Sequence, residues 1–490
     1  MRIIVDKDSR IPFYWQIADQ IKAQILKGIL TDGTVLPSER VLAQSAGVHR
    51  NTVIKAYGML KDEELVESVH GVGYRVIYGT SADTSGVKRR KTGVNWNQAI
   101  KDEYQDMEQT FDDIFQRFTE ENQISFSTGM PPAVFDADEV ASDFGGILHA
   151  EQKKPFYLSP YQGDLALRQC IQSFLREKSI RANPAQIQIL TETNQALDFI
   201  VTTLLKPGDK VILEEPVSPD VYRAIALADC KVVTVPVDEE GMMCEHLAPL
   251  IEQHRPKFIY VNSSFHDPTG VVLSTERRRM LLELADKYRV PVVEEDASSE
   301  LAFDETALPM TLKSMDVHEN VIYIYSFSLT FIPGMSMAFV VAPEKLIKSF
   351  SYLVSIRMVS LDWMNQKLLA NFMGDGRYRE TLKRIREENQ AKAALMCSYL
   401  EKLKPLGITF QIPEGGVYVW CSLPSALDSR EVVIHCMKRG VSVIPGDVFY
   451  PNHNGGFHQL RLNFSFESEE RIREGMAIFC DVEESLIKNE

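Results

Sequence analysis

The stretch YSFSLTFIPGMSMAFVVAP, residues 325–343, sets two small hydroxyl donors, Ser326 and Ser328, on either side of Phe327 and then breaks at Pro333 and Gly334. The rest is almost wholly apolar and carries no charge. A segment of this shape suits the wall of a cofactor pocket in which one cationic side chain does the chemistry, yet it holds no cation. His266 beside Asp267 has the make-up of an acid–base pair, although a loop histidine next to a carboxylate is more often structural. Glu295 and Asp296 close the apolar run VPVVEED, where carboxylates either face a ligand or are simply solvated. Arg461 in LRLNFS offers a planar fork suited to a ligand carboxylate or to an acid of its own chain. Toward the other end, His49, Arg50, Asn51 and Thr52 are consecutive side chains suited to base edges and phosphates.

The chain that must position these groups has 490 residues, 44% apolar and 25% charged, an ordinary globular composition with room for more than one core. Its seven cysteines are scattered and never form a C-x-x-C pair, so neither a disulfide framework nor a metal site is expected. No apolar run approaches the ~18 residues of a membrane span. The first residues lack the layout of a signal peptide, and a cytoplasmic location is the expectation. A net charge of −15 argues against nonspecific coating of nucleic acid. Residues 1–78, however, are near neutral, with ten Lys and Arg against nine Asp and Glu, which leaves room for a site-directed DNA-reading module.

That module is visible in the periodicity. Ile17, Ile21 and Ile25 repeat with helical spacing, Pro37-Ser38 opens a second helix with Ser38 as N-cap, and Gly47 turns the chain into a third beginning near His49. Gly71 and Gly73 then sit between β-branched runs as a hairpin. The pattern predicts a winged helix-turn-helix over residues 1–78, with the third helix in the major groove, Arg40 near the DNA backbone and His70 at the wing. A polar linker and an acidic amphipathic helix are expected over 79–122. Over 123–490 the runs KVILEEP, KFIYVNSS, VPVVEED and NVIYIYSFS alternate with helical stretches, the signature of an α/β fold with a mostly parallel sheet. Ligands of such sheets bind at the carboxyl ends of the strands, where the candidate residues lie.

The segments PFYWQI, LPSERVLAQSAGVHRNTVIKAYGML and HGVGY resemble the GntR family of bacterial regulators. A neutral Val69-His70 precedes the wing glycines where that family usually has a basic residue. The segments YQGDLALRQCIQSFL, TETNQALDF, DPTG, EEDASSE, PEGGVYVW, VIPGDVFY and LRLNFSF, in this order, resemble the fold type I aminotransferases, which use pyridoxal phosphate. The two joined resemble the MocR subfamily over nearly the whole chain. The resemblance implies a large part over about 123–370, a small part over about 371–490, a homodimer, and operator DNA as partner.

The same resemblance implies losses. Related proteins read S-F-S-K-T where this chain reads SFSLT, which puts Leu329 at the Schiff-base lysine, and Ser336 takes the place of a phosphate-binding arginine. Glu192 replaces a glycine of the phosphate cup, Ser218 a stacking aromatic, Asp267 an asparagine and Ala297 a tyrosine. What survives is Arg461 at the position of a carboxylate clamp, Glu295 or Asp296 at that of the acid facing the ring nitrogen, and Ser326 and Ser328 as small donors. The expectation is therefore a DNA-binding regulator and not an enzyme. Its degenerate domain would dimerise and bind a small carboxylate or amino-acid effector through Arg461, Glu295, Asp296, Asp267, Ser326 and Ser328, without covalent pyridoxal phosphate. A regulator that retains the cofactor, or an aminotransferase with a noncanonical site, is the alternative.

Overall fold

A computed structural model describes residues 3, 5, 12–26, 29–63, 65–69, 73–77, 123–132, 134–152, 157–304, 308–452 and 454–488. The chain divides into two compact units, residues 1–116 and 117–490. The expected linker and acidic helix over 79–122, and His70 at the wing, lie outside the described residues.

In the first unit, helices α1 (Phe13–Leu26), α2 (Glu39–Ala46) and α3 (Arg50–Asp62) are followed by strands β1 (Val66–Val69) and β2 (Gly73–Val76). Ile17, Ile21 and Ile25 of α1 are buried against Val53, Ala56, Tyr57 and Leu60 of α3, so each helix turns one stripe inward. The hydroxyl of Ser38 caps α2 by accepting from Val41 N, and Gly47 ends it at φ 65°, a left-handed turn that glycine enters without strain. β1 and β2 pair antiparallel from Val66 opposite Val76 to Val69 opposite Gly73.

The second unit opens with β3 (Ile124–Ser125) and builds one sheet from β4 (Ile187–Leu190), β5 (Lys210–Glu215), β6 (Lys231–Asp238), β7 (Gly241–Met242), β8 (Ile259–Asn262), β9 (Val292–Asp296), β10 (Val321–Ser326) and β11 (Ala338–Val341). The spatial order is β4-β11-β10-β9-β8-β5-β6-β7. From β10 through β9, β8 and β5 to β6 all pairings are parallel. These strands are buried on both faces, Val211, Ile212 and Leu213 being wholly inaccessible, as sheets covered by helices on either side require. β11 runs antiparallel to β10 and β4 because the short connection 327–337 has no room for a crossover helix, which takes about a dozen residues or more.

A second sheet, β12 (Thr409–Phe410), β13 (Tyr418–Ser422), β15 (Ile444–Pro445) and β16 (Gln459–Asn463), is antiparallel in the order β12-β13-β16-β15. The small part is not contiguous in sequence: β14 (Val441–Ser442) pairs parallel with β3, so the first strand of the unit joins the core made by the last. Ile124 and Phe126 are buried there among Leu400, Val432 and Phe479. Gly475 leaves the space they need, since a Cβ on it would come within 2.6 Å of the Phe126 ring. No helix among the described residues is long and apolar enough to cross a membrane.

Candidate functional site

Two places gather the candidate residues. On the first unit, Arg40, His49, Arg50 and Asn51 are exposed and Thr52 half-buried, at the start of α2 and α3. His49 is the N-cap of α3, and its Nδ1 accepts from Asn51 N at 3.2 Å. That bond leaves the imidazole in the tautomer with its proton on Nε2. Arg50 lies within 3.5 Å of Glu39, an exposed pair worth little and easily exchanged for a phosphate. The helix N-terminus adds its own favourable field for an anion.

On the second unit, a cavity of about 220 Å³ opens at the carboxyl ends of the sheet. Its wall is built from the turns that follow successive strands: Glu192 after β4, Ser218 after β5, Asp267 after β8, and Ser328 with Leu329 after β10. Tyr418 of β13 closes it from the small part. Glu192 stands at the N-terminus of helix α4 (Thr193–Leu204), and Asp220 lies in the first turn of helix α5 (Pro219–Leu227), where it accepts from Asn194 Nδ2 at 3.3 Å. Ser326 and Ser328 share a hydrogen bond of 2.8 Å.

The adjacent carboxylates of VVEED part company, because successive side chains of a strand point to opposite faces. Glu295 lines the cavity, and its side chain has no hydrogen bond or ion pair among the described residues. Burial, with Asp220 and Asp296 nearby, pushes its carboxyl up to about 7. Asp296 faces the other way, which corrects the expectation that it contacts a ligand. It is wholly buried, accepting from Tyr323 OH at 2.6 Å and from Ser299 Oγ at 2.7 Å, with Lys178 at 3.6 Å. Burial opposes its charge, but Lys178 and these donors outweigh it and hold the carboxyl below its ordinary value.

Arg461 is buried and already engaged. Nη1 donates to Asp267 Oδ1 at 2.7 Å and Nη2 to Ser127 O at 3.1 Å, while the guanidinium lies 4.2 Å from the Tyr418 ring centroid and 5.0 Å from that of Phe449. Of the two partners the sequence leaves open for this fork, an acid of its own chain occupies it. Burial disfavours the cation, and Asp267 and Tyr418 more than compensate. His266 points away from Asp267: it is 1% exposed, 3.5 Å from Glu214, and burial pulls it down to about 3. It is an interior neutral imidazole, not an acid–base partner of Asp267.

Leu329 is 7% exposed and packs with Val134, Leu301, Ile385 and Val417 where the large and small parts meet. Among the described residues, no lysine, arginine or histidine lines the cavity. The residues missed in the sequence are Asp220, Asn262, Ser298 and Tyr418. An acidic residue in a first helical turn reads as ordinary dipole complement, and the others lack any pattern of their own.

Residues 120–478 match the family described as aminotransferase class I and II, and residues 13–76 match the bacterial regulatory proteins of the gntR family. The chain belongs to the aminotransferase class I and II family, in the MocR arrangement with a GntR module in front. This MocR-type chain is similar to the "Uncharacterized HTH-type transcriptional regulator YdfD" of Bacillus subtilis, 27% identical over 96% of each chain. It is 25% identical to the "Probable rhizopine catabolism regulatory protein MocR" of Rhizobium meliloti, over 90% of this chain and 88% of that one. Among solved structures, LysN, an alpha-aminoadipate aminotransferase of Thermus thermophilus complexed with N-(5'-phosphopyridoxyl)-L-leucine, matches with a TM-score of 0.73 at 27% identity, covering 81% of this chain and 100% of its own.

The family cofactor, pyridoxal phosphate, requires a Schiff-base lysine, an acid for the pyridine nitrogen and donors for its phosphate. In the MocR-type chain Glu295 could meet the second requirement. For the first, no lysine is among the described lining residues, and for the third a carboxylate, Glu192, heads α4, where a phosphate would need backbone donors unopposed by negative charge. The lining does not fit the group.

Proposed function

We propose that this DNA-binding regulator uses its aminotransferase-like domain as a non-catalytic dimerisation and effector-sensing body. The observation that carries the reading is Leu329, sealed into an apolar cluster at the edge of a cavity whose lining contains no lysine. Without an amine to form the imine, transamination has no covalent start. DNA recognition rests on the exposed start of α3, and a homodimer suits paired operator half-sites. Operator binding also fits a cytoplasmic location. The effector class is amino-acid-like: the cavity offers carboxylates for an ammonium, and a ligand carboxylate reaches Arg461 only by displacing Asp267.

The test is spectroscopic. The full chain is incubated with pyridoxal phosphate, treated with borohydride and gel-filtered. No pyridoxyl chromophore is expected to remain on the protein beyond that on a control of unrelated surface lysines. A stoichiometric, reduction-fixed band would favour the cofactor-binding alternative.

A further inference from the structure

The cavity differs from a phosphate or carboxylate receptor in the sign of its lining. Four carboxylates face it, those of Glu192, Asp220, Asp267 and Glu295. The guanidinium nearest to them, Arg461, is taken by Asp267 at 2.7 Å, so one of the four is neutralised and three are left without a cation. An entering anion meets those three. A guest with positive charge meets acceptors.

Several of these acceptors wait without partners. The side chain of Glu295, on the cavity lining, makes no hydrogen bond or ion pair among the described residues. Ser298 is 6% exposed and lines the cavity, and its hydroxyl has no hydrogen bond among the described residues. The side-chain oxygen of Asn262, a lining residue, is unpaired and shielded from solvent, so a ligand's donor reaches it only once that side chain turns. Buried polar groups are as a rule paired, and an orphan cluster facing a hollow marks where a ligand's donors belong. An ammonium is three donors with no acceptor, which is what this set lacks. Beside it Val221, Leu197 and Leu329 provide an apolar wall, and Tyr260 and Tyr418 provide aromatic surface, suited to a short alkyl chain and to a cation over a ring.

We propose that the cavity is a receptor for small organic cations, primary amines or diamines, that recognises the ammonium through Glu295, Ser298 and Asn262 and needs no ligand carboxylate. The inference rests on the sensing role proposed above and narrows its amino-acid-like ligand class to the ammonium end, since Asp267 already occupies Arg461. Burial first, and then the neighbouring Asp220 and Asp296, raise the affinity of the Glu295 carboxyl for its proton, and an ammonium beside it would favour the charged form. Asp220 and Glu192, exposed at the mouth, would draw a cation in and could hold the far amine of a diamine.

The experiment is calorimetric titration and thermal shift of the full chain with 1,4-diaminobutane, butylamine, succinate and pyridoxal phosphate. The amines are expected to bind and stabilise and the two anions not to. Glu295→Gln keeps the shape and removes the charge, and should weaken amine binding about 10- to 100-fold. Asp220→Asn, at the exposed mouth, leaves the core untouched and should weaken the diamine more than butylamine. Absence of amine binding, amine binding indifferent to both variants, or succinate binding as well as diaminobutane would each overturn the proposal. Succinate binding alone would sink the cation receptor and leave the sensing role standing. Amine binding that leaves affinity for a DNA duplex selected by this protein unchanged would do the reverse.

Discussion

Asp267 decides what Arg461 can do. It holds Nη1 of the guanidinium at 2.7 Å, so the fork expected to clamp a ligand carboxylate is already engaged from within, although its buried Nε has no partner among the described residues. Asp267→Asn removes the internal counter-charge while keeping a group of the same size. Succinate, judged by titration calorimetry, should gain about 10- to 100-fold in affinity in that variant. No gain would mean that Arg461 is inaccessible whatever its partner. The residue types of both were plain in the sequence, but they lie 194 positions apart and no local signal joins them. Glu295 and Asp296 show the complementary case. Strand alternation requires that they point to opposite faces, yet which face holds the cavity follows from the whole sheet and not from the pair.

Helices and strands carry the next set of consequences. The start of α3 is presented to solvent by a capped turn: Gly47 ends α2 in a left-handed conformation and His49 caps α3. Arg50→Ala should weaken operator binding by about 1–3 kcal/mol in an equilibrium binding assay, without altering thermal stability. The helix Glu469–Lys488 makes a different prediction, since Glu483 within it is 0% exposed and neither carboxylate oxygen has a hydrogen-bond partner. Burial pushes this carboxyl up to about 8. A raised acid stabilises the fold relative to the chain fully only below its unfolded value near 4.5, and that contribution is lost as pH rises to about 8. Glu483→Gln should therefore lose less stability than the parent over that interval, by about 1–3 kcal/mol in urea titrations at the two ends. The helices of the first unit were legible because apolar spacing, Ser38 and Gly47 are local signals. A lone buried glutamate on a surface-patterned helix was not.

For the molecule as a whole, the order of modules and the α/β class could be read in the sequence, since turn residues and periodicity change sharply along it. The polarity of the cavity could not, because its carboxylates come from separate turns brought together by a single sheet. Nor could the membership of β3 in the small part, as Ile124 and Ser125 lie over 300 residues from their partners Val441 and Ser442. That pairing has a mechanical meaning. The body is entered through a strand held by Ile124 N to Gly440 O at 2.8 Å and Phe126 N to Ser442 O at 2.9 Å, with Phe126 as an anchor in the core. Tension arriving along the backbone from the amino-terminal side is therefore borne first by the small part, across bonds loaded in shear. Conversely, any tilt of the small part would carry the first strand of the body with it, since that strand is a piece of its core.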